Sequence, residues 1–150
     1  MNLVVKAVIF ISLLMSMQMA SAACKLDVEV GDGLVFSTKE LTVEKSCVNV
    51  TVNLKHTGTL AASVMGHNWV LTAEADATDV ASKGLSAGLA NNYVPAGDTR
   101  VIAGTKIIGG GEATSISFST DALTAGGKYL YVCTFPGHSF VMRGTLIVGA

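Results

Sequence analysis

Val48-Asn49-Val50-Thr51-Val52-Asn53-Leu54-Lys55 alternates apolar and polar residues without a break. Successive side chains of an extended chain point to opposite faces, so this run describes a strand with one buried and one wetted face. The same period recurs in Leu26, Val28 and Val30, in Ile116 and Phe118, and in Tyr129, Tyr131 and Cys133, with Leu130 and Val132 facing the other way. Gly31-Asp32-Gly33, Thr57-Gly58, Gly109-Gly110-Gly111 and Gly126-Gly127 separate these runs. Turn residues so placed predict an all-β chain of seven or eight strands in an antiparallel sandwich or barrel. The glycine triplet reads as a hairpin turn, because no Lys-Ser/Thr pair or helical pattern follows it to make a phosphate cradle.

Residues 73–92 depart from the pattern. Alanines accumulate there, and Val80, Leu85 and Leu89 recur at helical spacing, which predicts one helical excursion outside the strands. Gly84 and Gly88 weaken such a helix by up to ~1 kcal/mol each relative to alanine, so it must be held by docking.

The 150-residue chain opens with Lys6, an apolar run over residues 7–15 and Ala20-Ser21-Ala22, the three parts of an export signal cleaved after residue 22. The run is shorter than the ~20 residues that span a bilayer. Lipid attachment at Cys24 is not expected, since Ser21-Ala22-Ala23-Cys24 lacks a large apolar residue three places before the cysteine. Removing 22 of the 150 residues leaves 128 at positions 23–150, the size of a single domain. Lys6 goes with the signal, so nine basic residues face eleven acidic ones, a net charge of about −2 that offers nothing to nucleic acid.

Three cysteines in an exported chain imply one disulfide and one thiol with another task. Cys24 and Cys47 each open a strand pattern and are the natural pair, leaving Cys133. That residue begins Cys133-Thr134-Phe135-Pro136-Gly137-His138-Ser139-Phe140-Val141-Met142, a Cys-x4-His-x3-Met bend that brings a thiolate, an imidazole and a thioether together. Soft sulfur donors favour cuprous ion and imidazole suits cupric ion, so this set tolerates both oxidation states. His67 supplies a fourth donor from a different strand, with Trp69 on the same face and therefore in the core. Met65 and Met142 are the only methionines beyond the signal, and both lie beside the proposed donors. Singly, a cysteine, methionine or histidine is most often core packing, but the coincidence at this spacing points to a metal. The same donors would also accept zinc. His56 follows the strand of Val50 and Leu54 with no second donor in its segment and reads as a structural histidine.

Two other functions use the same residues. Cys133 could be a nucleophile with His138 as its base, but no acid lies nearby in sequence to orient the histidine, and Met142 has no role in acyl transfer. A copper chaperone or buffer would carry Met-rich or His-rich stretches, which this chain lacks.

Met65-Gly66-His67-Asn68-Trp69-Val70, Arg100-Val101-Ile102-Ala103 and the segment from Cys133 to Ser139 resemble those of the azurins, small bacterial blue copper proteins of the cupredoxin family. The likeness covers residues 23–148, and the four-residue spacer between Cys133 and His138 separates it from the shorter-looped plastocyanins and amicyanins. The resemblance implies an eight-stranded Greek-key barrel or sandwich with a helical flap outside it. It further implies a monomeric periplasmic one-electron carrier with one type 1 Cu(I)/Cu(II) ion and no substrate turnover. Its partners would be respiratory redox proteins, c-type cytochromes, reductases or dehydrogenases, that dock transiently. By the same resemblance His67, Cys133 and His138 are the strong ligands, Met142 the weak axial one, and the Gly66 carbonyl a weak contact opposite it. Cys24 and Cys47 match the family disulfide. Backbone N–H groups of Asn68 and Phe135 would bond the thiolate, and the Asn68 side chain would tie the ligand loops together. Leu34, Leu60, Met65, Phe135 and Pro136 would form an apolar docking collar. The chain departs from common azurins at Gly104, where many have a surface histidine, and at Leu34, where several have methionine.

Overall fold

Eight strands, two α-helices and three short 3-10 turns lie among residues 24–149, the part of the chain that the computed structural model describes. In order the strands and α-helices are β1 (Lys25–Val30), β2 (Glu40–Val43), β3 (Asn49–His56), α1 (Ala62–Met65), β4 (Val70–Ala73), α2 (Ala77–Ala87), β5 (Ala103–Gly104), β6 (Ala113–Ser119), β7 (Tyr129–Val132) and β8 (Arg143–Val148). The export signal expected at residues 1–22 lies outside the described residues.

The strands form two sheets, β1-β3-β6 and β2-β8-β7-β4-β5. Neighbours are antiparallel except at two places where the sequence reading expected no exception: β1 runs parallel to β3, and β2 parallel to β8. The chain passes from β1 in one sheet to β2 in the other and back to β3, and such crossings bring strands alongside in the same direction, which a tight hairpin cannot do.

Alternation fills the space between the sheets. Val28, Val50, Val52 and Leu54 are fully buried, as are Trp69 and Tyr131, whose rings stack with centroids 5.6 Å apart. The opening run overreaches at one end: Val48 lies just before β3 and is 71% exposed, since the apolar period continues past the point where the strand begins. Cys24 and Cys47 are joined, fastening the chain ahead of β1 to the segment ahead of β3.

Strand β7 is buried on both faces. Tyr129 and Tyr131 face the main core, while Val132 packs with Val70, Ala77 and Val80 under α2. Of the apolar residues that marked the helix in the sequence, Val80 is buried as expected, Leu85 is exposed, and Leu89 lies beyond its end in a separate exposed turn. The helix buries Ala77, Val80, Ala81 and Gly84, an i, i+3, i+4, i+7 stripe. The reason is close approach. A Cβ at Gly84 would stand 2.1 Å from the Tyr93 carbonyl oxygen, so only a small-residue face lets the helix settle on the segment that follows it. Gly88 ends the helix at φ +72°, a conformation that suits glycine. Arg100 bonds Asp79 on the helix and Asp98 on the return loop, and this partner holds the Asp98 carboxyl well below the usual range.

The glycine triplet is not the hairpin expected of it, because β5 and β6 belong to different sheets. A Cβ at Gly109 would meet the Ala62 backbone nitrogen at 2.4 Å, and one at Gly110 would meet Thr59 at 2.5 Å. These glycines let two backbone segments touch beside His67, and Gly110 N–H donates to the Leu60 carbonyl at 2.8 Å.

An exposed-site glycine-to-alanine change in a helix usually stabilises by up to ~1 kcal/mol. Gly84→Ala has the opposite sign here: denaturant unfolding shows a loss of about 1–3 kcal/mol, from the overpacked contact with Tyr93.

Candidate metal centre

His67 lies not within a strand but just ahead of β4, in an isolated bridge with Ile108. Two backbone bonds make the bridge, His67 N–H to the Ile108 carbonyl at 3.0 Å and Ile108 N–H to the His67 carbonyl at 2.9 Å. Cys133 follows β7 directly, and its N–H bonds the Met142 carbonyl at 3.0 Å, closing the ten-residue bend at its neck. Inside it, Met142 N–H donates to the His138 carbonyl at 2.9 Å, and Gly137, at φ +82°, makes the reversal that presents His138.

The fold brings His67, Cys133 and His138 together with their donor atoms all within 4.8 Å of one another. The Cys133 sulfur stands 3.7 Å from His67 Nδ1 and 3.5 Å from His138 Nδ1. The Gly66 carbonyl oxygen is 4.0 Å from the same sulfur. Met142 is fully buried in the core cluster that holds Cys133.

The outer edge of the His67 ring is engaged. His67 Nε2 donates to the Gly31 carbonyl at 2.8 Å, so when neutral the ring presents a bare lone pair at Nδ1, toward the sulfur. His138 is 5% exposed and packs against Phe135, ring centroids 4.7 Å apart. His56, stacked on His67 at 5.1 Å, accepts from Gly58 N–H at Nδ1 and bonds the Met65 carbonyl through Nε2. With both nitrogens engaged, His56 stands outside the donor group.

Burial dominates the protonation chemistry. It pushes the Cys133 thiol up to about 11, against the pull of N–H bonds from Asn68 and Phe135. It pushes His67 down to about 4 and lowers His138 as well. A thiol this shielded is a poor free nucleophile, whereas a cation bound beside it would favour the thiolate. The donors therefore fit a metal: two neutral imidazole nitrogens aimed at one sulfur, enclosed and free of carboxylates.

Asn68 is fully buried and makes three bonds: its amide donates to Thr134 Oγ1 at 2.7 Å and the Asn92 carbonyl at 2.8 Å, and its oxygen accepts Thr134 N–H at 2.8 Å. Asn92 Oδ1 in turn accepts Ile107 N–H at 3.0 Å. Gly31, Thr134 and Asn92 were missed by the sequence reading. The first acts through its carbonyl, which leaves no trace in residue type, and the others depend on contacts distant in sequence.

Of the expected collar, Leu34, Leu60 and Pro136 are exposed and Met65 half-buried, but Phe135 is buried between Tyr93 and His138. Phe135 walls the site rather than facing outward. Phe140 is 78% exposed within the ligand bend, an apolar surface residue the sequence reading did not select.

The copper binding proteins of the plastocyanin/azurin family match this chain over residues 22–149. Azurin of Achromobacter denitrificans is 53% identical over 131 residues, covering 87% of this chain and 88% of that protein. Azurin-1 of Alcaligenes xylosoxydans xylosoxydans is 54% identical over 125 residues, covering 83% and 97%. Among solved structures, an azurin (Az-iso2) from the obligate methylotroph Methylomonas sp. strain J superposes with a TM-score of 0.83 at 48% identity, covering 86% of this chain and all of that one. The chain belongs to the plastocyanin/azurin family of copper binding proteins. It is a blue copper electron carrier with one copper ion, not an enzyme.

In the metal-free protein the folded state favours neutral His67. That contribution to stability is complete above the ordinary histidine value of 6.5 and is lost as pH falls toward about 4. Thermal unfolding of the metal-free form therefore drops to lower temperature across this window, and His67→Gln flattens part of the drop.

Proposed function

We propose that this protein is a periplasmic one-electron carrier whose copper is held by His67 Nδ1, Cys133 Sγ and His138 Nδ1, with Met142 and the Gly66 carbonyl as weak contacts. The observation that carries this reading is the pair of Nδ1 atoms at 3.7 and 3.5 Å from a fully buried thiol. When bound, copper supplies reversible Cu(I)/Cu(II) chemistry. The residues do the rest. His67 enters from a bridged backbone segment, while Cys133, His138 and Met142 come from one bend closed by its own hydrogen bonds, so little can move between oxidation states. Donors from Asn68 and Phe135 withdraw charge from the sulfur, which favours the reduced state.

Residues 1–22 direct export and are removed, and residues 23–150 work as one monomeric domain. No helix among the described residues is long and apolar enough to cross a membrane. In this reading the exposed Leu34, Leu60 and Pro136 and the half-buried Met65 form the apolar docking collar, with Phe135 packed against the His138 ring. Such a surface suits brief, weakly polar docking of c-type cytochromes, reductases or dehydrogenases of a respiratory chain.

Cu(II) added to the purified mature protein gives an intense blue colour at one equivalent, bleached by ascorbate. Cys133→Ser abolishes the colour because the thiolate is gone, whereas Met142→Leu keeps it and raises the reduction potential by removing a weak donor. A colourless complex with the parent protein would contradict the assignment.

A further inference from the structure

Asp32 sits in the turn after β1, immediately beyond the Gly31 carbonyl that takes His67 Nε2–H. Its carboxylate reaches across to a different segment. Each oxygen lies 3.0 Å from Thr59 N, Oδ1 accepts Leu60 N–H at 3.0 Å, and Oδ2 accepts the Thr59 hydroxyl at 3.1 Å. The seat exists because residue 58 is glycine: a Cβ there would stand 2.2 Å from Asp32 Oδ1 and 2.8 Å from its backbone nitrogen. Residues beside this contact tie the same two segments. Thr57 N–H and Oγ1 donate to the Val30 carbonyl at 2.8 and 3.0 Å, and Gly58 N–H bonds His56, whose ring stacks on His67.

We propose that Asp32 is a positioning residue for the metal centre: its carboxylate, seated over Gly58, holds the Gly31 carbonyl against His67 and holds Thr59 and Leu60 in place by the same contact. The orientation of the His67 ring and the placement of Leu60 on the outer surface are then set together. This rests on the assignment of His67 as a ligand.

Three variants separate geometry from charge. Asp32→Ala removes the carboxylate, Gly58→Ala evicts it while leaving it in the chain, and Asp32→Asn keeps one acceptor oxygen without the charge. The first readout is NMR hydrogen exchange in the metal-free protein at the Thr59 and Leu60 amides and at His67 Nε2–H. The second is the thiolate-to-copper absorption band after loading. Asp32→Ala and Gly58→Ala speed exchange at the Thr59 and Leu60 amides by on the order of tenfold or more, as loss of bonds to a charged acceptor requires, and also speed it at His67 Nε2–H, because the Gly31 carbonyl that accepts it is no longer held in place. Both displace the absorption band in the same direction, and Asp32→Asn restores most of the protection. Faster exchange at Thr59 and Leu60 with His67 Nε2–H unchanged would overturn the proposal, leaving Asp32 as a loop anchor only. So would no change at any of the three hydrogens. Failure of the parent protein to bind copper would instead refute the assignment of His67 as a ligand, and the exchange data would still judge whether Asp32 orients its ring.

Discussion

The buried carboxamide of Asn68 joins the two halves of the metal centre. One half is the backbone around His67, bridged to Ile108, and the other is the bend that begins at Cys133. Asn68 bonds both the N–H and the hydroxyl of Thr134, so the residue after one ligand is fixed to the residue next to the other. The chain positions are 66 residues apart, yet no flexible link lies between them. In a buried interior such bonds are electrostatically strong, and leaving any of these groups unpaired would cost ~1–3 kcal/mol. The remaining features protect this joint: the Trp69 and Tyr131 stack beneath it, Asn92 beside it, and α2 covering the strand that leads to Cys133.

This construction explains why an electron carrier can be so small. The chain supplies donors whose positions are determined by a folded core, and the redox change is left to the ion. A site held on all sides resists the different geometries that cuprous and cupric ions prefer, which lowers the rearrangement accompanying each transfer. The same enclosure keeps Cys133 from acting as a free thiol, so the residue most able to do covalent chemistry is kept out of it.

Much of this was legible from the amino-acid order, and what was not has physical reasons. Period-2 runs revealed the strands because burial on one face is a local property of the chain. They could not reveal that β1 and β2 run parallel to their neighbours, which depends on where the connections cross. The helix was visible within residues 73–92 and Val80 is on its buried face, but Leu85 is exposed and Leu89 falls beyond the helix end, while the close approach of Tyr93 requires glycine at position 84. His67, Cys133 and His138 could be picked out because rare donor types coincided in two short segments. Gly31 could not, since a carbonyl that orients a histidine belongs to every residue type. Phe135 shows the intermediate case. Its place beside the site followed from sequence, but its burial between Tyr93 and His138 did not.

If the fold alone prepares the metal centre, its shape must not need the ion. The most direct measurement is a pair of crystal structures, one metal-free and one loaded with Cu(II), compared at Cys133 Sγ, His67 Nδ1 and His138 Nδ1. The prediction is that these atoms remain within 4.8 Å of one another in both, with the Asn68 bonds to Thr134 intact. A metal-free structure in which the bend from Cys133 to Met142 unravels, or in which Asn68 releases Thr134, would contradict it.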